Sequence, residues 1–268
     1  MIMITNSFYF EFLQKSVSYL SVTCLFTLFT TQTLFSQSDF LNNSEKKARQ
    51  ILEKTIESLG GSSYITAENL VKEGRIFGFR QENLRAANKF RMFEKHPLKR
   101  RVEFGDKGEI VYINDATKGW KIKYKDVKEQ SKEEIKFFLI SMKHTLDHIL
   151  RFRRKEKGMK IRYLGKTRSH LLILEGVQLM DKEGDKIKIY VNAHDFLPVK
   201  MEFKSPPFGK RWASEDKLFF YNYHEINGIK IPFTTILNSN GFKATETQLS
   251  SVKVSPSLSA SLFLPPKK

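Results

Sequence analysis

The sequence predicts an α+β, mainly β protein: a curled antiparallel sheet, an unclosed half-barrel, covered by an N-terminal helix and one inserted amphipathic helix. Three observations predict it. Short runs of alternating apolar and polar residues follow one another along most of the chain, each fit to bury one face and wet the other. Gly- and Asn-rich turn signals separate these runs so closely that only hairpins can connect them, and no repeated strand–helix–strand pattern occurs. Only two stretches carry an apolar stripe at helical spacing, too few to cover about ten strands, so the sheet has to curl.

The first segment is read as an address. Ser16 to Ser38 carries no charge and holds Val17, Leu20, Leu25, Phe26, Leu28 and Phe29, with Lys15 before it and the small residues Ser36-Gln37-Ser38 at its end. This pattern predicts a secretory signal over residues 1–38, followed by a single domain over 39–268 and an exported, periplasmic location. An uncleaved anchor is the competing reading. The only cysteine, Cys24, falls in this segment, so the predicted mature chain has no disulfide and no thiolate metal ligand.

Helical spacing resumes at Asn42–Leu59, where Ala48, Ile51, Leu52, Ile56 and Leu59 share one face. Asn42 and Glu45 resemble a capping box, and Gly60-Gly61 is the stop signal. Strands are predicted around Val102 and Phe104, over Trp120–Lys125, over Lys186–Val191 and over Val199–Lys204. Their wet face is largely lysine. Turns are predicted at Gly105-Asp106-Lys107-Gly108, Asn114-Asp115, Glu183-Gly184-Asp185, Asn227-Gly228 and Asn238–Gly241. The inserted helix opens with a Ser131/Glu134 capping box. It carries Ile135, Phe138, Leu139, Met142, Leu146 and Ile149 as one stripe, and ends in the basic run Arg151–Lys157.

The chain has 268 residues and a formal net charge of +17. Removal of residues 1–38 takes away one acid, Glu11, and one base, Lys15, and leaves that balance unchanged. The charge favours anionic partners such as an anionic membrane surface or an acidic protein. Lys99-Arg100-Arg101 has no interleaved aromatic and the 151–157 cluster has only Phe152, too little for a nucleic-acid face, so nucleic acid is not expected, and the second cluster is read as a solvated helix end. Phosphate-cradling glycine motifs and the G-x-S-x-G elbow are absent. His144 and His148 stand four apart with Asp147 between them, like an inverted zinc motif, but no third ligand has suitable spacing. They are read as rim residues of the helix, and neither catalysis nor a metal or other cofactor is expected.

Phe is abundant, 23 residues against 9 Tyr and 2 Trp, which suits either a filled apolar core or an apolar pocket. The candidate pocket residues are Phe77, Phe79, Trp120, Phe138, Leu139 and Met142.

The order of local motifs resembles a known family. Leu59-Gly60-Gly61 closes the first helix. His96-Pro97-Leu98-Lys99-Arg100-Arg101-Val102-Glu103 is similar to a basic strand, and Asn114 to Trp120 to a hairpin ending in Gly-Trp. Phe196-Leu197-Pro198-Val199-Lys200 follows, then the hairpin Tyr223 to Pro232, then Leu262-Phe263-Leu264-Pro265. Together, over residues 42–266, these resemble the periplasmic outer-membrane lipoprotein-sorting proteins, the LolA/LolB-like superfamily. The resemblance implies an unclosed antiparallel barrel lidded by helices, which binds acyl chains and hands them between membranes. The expected partner is therefore a lipid or an acylated protein, and the expected state is a monomer. The competing function is an envelope interaction module with a filled core and a basic face.

Overall fold

The computed structural model describes residues 41–124, 126–207 and 213–266. The predicted signal segment lies outside the described residues. Of the described residues, 41–46 belong to one unit and those from 47 onward to a second; 41–46 are the opening of a helix.

That helix, α1, runs over residues 41–59, and Asn42 and Glu45 already lie within it rather than capping it. From Ala48 onward its buried face is the predicted one: Ala48, Ile51, Leu52, Ile56 and Leu59. It stops at Gly60, whose φ is 127°. A Cβ there would sit 2.4 Å from the Gly228 carbonyl oxygen, so both the conformation and the close approach require glycine. The short helix α2, Gly61–Thr66, follows at once.

Six strands then run outward as a meander: β1 (Asn69–Arg80), β2 (Asn83–Lys95), β3 (Lys99–Phe104), β4 (Ile110–Asn114), β5 (Gly119–Lys123) and β6 (Asp126–Glu129). A helical crossover leaves the β6 edge: α3 (Lys132–Lys143), α4 (Leu146–Arg151) and a 3-10 turn (Arg153–Lys155). Seven strands then return: β7 (Lys160–Ser169), β8 (Leu172–Met180), β9 (Lys186–Asn192), β10 (Pro198–Ser205), β11 (Ser214–Ile226), β12 (Ile229–Ser239) and β13 (Phe242–Val254). β13 pairs with β1, giving the order β6-β5-β4-β3-β2-β1-β13-β12-β11-β10-β9-β8-β7. Every pairing is antiparallel. The sheet does not close: β6 and β7 are its opposite edges, joined through the helices. The predicted half-barrel is the observed one, with thirteen strands among the described residues instead of about ten.

Two cores hold the sheet. The larger joins the inner faces of β7–β13 to α1, α2 and α4, with Ile149, Leu150, Ile189 and Met201 fully buried. The smaller lies on the outer face of β1–β5. There Val71, Phe93, Val111, Ile113 and Ile122 are covered by Phe263 of a C-terminal 3-10 turn, Ala260–Phe263. Arg101 fixes that turn by donating to the Leu262 carbonyl at 3.2 Å.

The inserted helix differs from its prediction. The capping box forms: the Ser131 hydroxyl accepts from the Glu134 amide at 3.2 Å, and the Glu134 carboxylate accepts from the Ser131 amide at 2.8 Å. The helix nevertheless breaks after Lys143. Thr145 caps a new helix by accepting from the His148 amide, so the single apolar stripe belongs to two helices. Among the described residues, no helix is long and apolar enough to cross a membrane.

Candidate functional site

A cavity of about 550 Å³ lies between the inner face of the sheet and the crossover helices. Period-2 alternation builds its wall. On β12, Ile229, Ile231, Phe233, Thr235 and Leu237 all face it. On β2 it is Phe90, Met92 and Glu94, while Phe93 between them turns to the outer core. Leu70 of β1, Phe203 of β10, Phe220 of β11 and Leu249 of β13 complete the sheet side. The helical side is Phe137, Ile140, Ser141 and His144 at successive helical spacings, with Met142 and Leu146.

Of the candidates named from sequence, Met142 is on this wall. Phe77 lies on the opposite face of β1 from Leu70 and Lys72, by simple alternation, and Phe79 stands near the hairpin tip beneath the Lys243 ammonium, 4.3 Å from its ring centre. Trp120 packs against the small outer core. Phe138 is buried and Leu139 half-buried, but the face that α3 turns to the cavity runs through Phe137, Ile140 and Ser141, about one residue's rotation away. The phenylalanines of β2, β10, β11 and β12 escaped sequence reasoning. Their available signal was strict alternation, which a filled face would share.

The two histidines do not share a helix face. His144 follows α3 and bonds the Asp185 carboxylate through Nε2 at 2.9 Å, while His148 sits in α4 against the ring of Phe152, whose other neighbour is the His96 ring. Burial pushes the His148 pKa down to about 4, with a partly opposing hydrogen bond to the Pro97 backbone, so it is neutral at pH 7. Among the described residues no group of three His, Cys, Asp or Glu side chains could hold a metal.

The basic run after α4 is not a solvated helix end. Lys155 and Lys157 are exposed, but Arg151 and Arg153 are buried and Arg154 is partly so. Arg153 donates to Asp181 at 2.7 Å and to Asp185 at 3.0 Å, both beside the β8–β9 turn. Arg154 pairs with Glu53 of α1. Arg151 turns the other way, donating to the Ala67 carbonyl ahead of β1 at 2.5 Å. The crossover is thus bonded to both halves of the sheet. In the other basic run, Arg100 and Arg101 are engaged with Glu94 and Glu103.

One end of the cavity is charged. Lys72 lies 2.7 Å from Glu94 and 3.7 Å from Asp147; Arg100 reaches Glu94 at 2.6 Å; the Tyr64 hydroxyl donates to Asp147 at 2.8 Å. Burial alone would raise the Glu94 pKa, but Lys72 and Arg100 outweigh it and hold the carboxyl well below the usual range. Burial would likewise lower Lys72, but Glu94 and Asp147 hold it up. At the opposite end of the strands, Asp216 accepts from the Ser205 hydroxyl at 2.5 Å. The cavity wall is thus mostly apolar, with charged groups at one end and Asp216 at the other.

The fold is similar to that of solved LolA-like half-barrels. The chain is similar to the LolA superfamily protein of Nitrosomonas europaea, with TM-score 0.54, 15% identity, and coverage of 81% of this chain and 97% of that one. A DUF1329 family protein from Desulfovibrio piger gives TM-score 0.57 and 13% identity over 81% and 96% of the two chains. A domain assigned to an outer-membrane lipoprotein-sorting protein of Vibrio parahaemolyticus gives 0.55 and 13% over 82% and 97%. At these identities the likeness is one of fold. No protein-family model matches the sequence, and no curated protein matches it.

Proposed function

We propose that the protein is an exported, non-catalytic carrier or binding protein for lipid or lipoprotein acyl chains, held in the cavity between sheet and crossover helices. The observation that carries this reading is the cavity itself, about 550 Å³ with a mostly apolar surface in which Phe, Leu, Ile and Met are the largest group. A pocket of that size and lining suits one extended hydrocarbon chain. Burial contributes about 0.8 kcal/mol per CH₂, so the chain supplies most of the affinity. Two fold neighbours, a LolA superfamily protein and a lipoprotein-sorting domain, support the same reading. The net charge of +17 suits approach to an anionic membrane, and residues 1–38 serve as the export signal and are removed.

The test is native mass spectrometry of protein purified without detergent, followed by solvent extraction. The expected result is one lipid per chain. A clean protein mass that does not change after incubation with lipids would sink the reading in favour of a filled interaction module. Sequencing the N-terminus of the exported pool checks removal at Ser38.

A further inference from the structure

Acyl-chain binding leaves the charged end of the cavity unexplained. An alkyl chain needs no ionic groups, yet three cations and two carboxylates, Lys72, Arg100, Arg151, Glu94 and Asp147, line the wall there. Keeping them out of water is costly unless each is matched. The matching is incomplete. Glu94 takes both Lys72 at 2.7 Å and Arg100 at 2.6 Å. Asp147 accepts from Tyr64 at 2.8 Å and has Lys72 at 3.7 Å.

Arg151 is the cation left over. Among the described residues no carboxylate lies within ion-pair distance of its guanidinium; Asp147, already bonded to Tyr64, feels its charge only from farther off. It is 6% exposed, donates to the Ala67 carbonyl, rests 4.5 Å from the Tyr64 ring centre, and its Nε has no hydrogen-bond partner. Both ring nitrogens of His96, on the same stretch of wall, also lack partners. Arginine cannot shed its proton, and its planar fork of donors fits an oxyanion.

We propose that Arg151 anchors the anionic head of the ligand, with Lys72 and His96 beside it. The cavity then selects a single-tailed anionic amphiphile, of which a fatty acid is the simplest, over a neutral lipid of the same chain length. This rests on the acyl-chain reading and adds the class of head group. The tail runs along β12 toward Asp216, away from the anion, and that acid disfavours an anionic head entering in the reverse direction.

The test is displacement of a neutral naphthylamine probe from the full-length protein by palmitate and by hexadecanol. Palmitate is expected to displace the probe at about tenfold lower concentration, the scale of one charged hydrogen bond. Arg151→Gln is expected to remove that preference while leaving hexadecanol unchanged, and Arg151→Lys to restore part of it. Equal displacement by the two in the unaltered protein overturns the anchor but leaves acyl binding standing. Equal weakening of both by Arg151→Gln also overturns it, since Arg151 would then only support the fold. If Arg151→Gln does not fold, the comparison in the unaltered protein decides alone. Displacement by neither compound overturns the acyl-chain reading itself.

Discussion

Arg153 and Asp181 are joined by a 2.7 Å hydrogen-bonded ion pair whose arginine is 1% exposed, and this pair fastens the crossover helices to the turn between β8 and β9. Asp185 completes the fastening, bonded to Arg153 at 3.0 Å and to His144 at 2.9 Å. Replacement of Arg153 by Met leaves two carboxylates without their cation. We expect a loss of about 3 kcal/mol in stability, read by urea unfolding. A loss below about 1 kcal/mol would show that the crossover is held by its apolar contacts alone.

His148 sets an acid limit. Its folded pKa lies near 4, against 6.5 when unfolded, because burial disfavours the imidazolium. The unfolded chain therefore binds the proton first, and stability falls as pH drops from about 6.5 toward 4, by at most about 3 kcal/mol. Below that window Glu94, whose folded pKa is depressed by Lys72 and Arg100, continues the loss below pH 4.5. Unfolding curves for His148→Asn at a series of pH values should be flatter between 6.5 and 4 than those of the unaltered protein. An unchanged slope would remove His148 from the account.

Gly60→Ala tests the close approach behind α1. The added Cβ meets the Gly228 carbonyl oxygen at 2.4 Å, at a φ of 127° that alanine rarely adopts. The expected cost is about 2 kcal/mol, measured by thermal or urea unfolding. Gly228 has nothing within 4 Å of its own added Cβ, so Gly228→Ala should cost only the strain of its φ of 75°.

Ala244→Phe places a ring into the cavity from β13, where Ala244 shares the wall with Thr247 and Leu249 of the same strand. Uptake of a fluorescent acyl chain should fall at least about tenfold, with stability lowered by no more than about 3 kcal/mol. In the unaltered protein, shortening a fatty acid from about 16 to about 12 carbons should weaken binding by about two orders of magnitude, from about 0.8 kcal/mol per CH₂. Affinity independent of chain length would place the ligand outside the cavity.

Most of the sheet was legible because alternation and turn chemistry are local. Lys186–Val191 reads apolar-polar in sequence and forms β9 with Ile187, Ile189 and Val191 buried, and Asn227-Gly228 forms the β11–β12 turn as its residues require. The break at His144–Thr145 was not legible, because apolar spacing continues through it from Phe138 to Ile149. Thr145 is an ordinary residue until its hydroxyl is seen to cap α4. The cavity wall was hidden for a related reason. Ile231, Phe233 and Leu237 would read the same against a filled core, and whether space remains depends on α3 and α4 standing off the sheet. Phe77 was misplaced because alternation tells which residues share a face but not which face is inner. The buried arginines 151 and 153 were hidden because their partners, Ala67, Asp181 and Asp185, are remote in sequence.

The pairing of β1 with β13, Leu70 opposite Val254, has a kinetic consequence. The middle of the sheet is made by the first and the last strand among the described residues. During synthesis or passage through a membrane, β1 stands as an open edge until β13 arrives, while each meander on either side can form from neighbours. Joining these remote segments is the slow, high-contact-order step. Until it is complete, the protein has two curved half-sheets and no enclosed cavity, so ligand capture has to follow the arrival of the last strand.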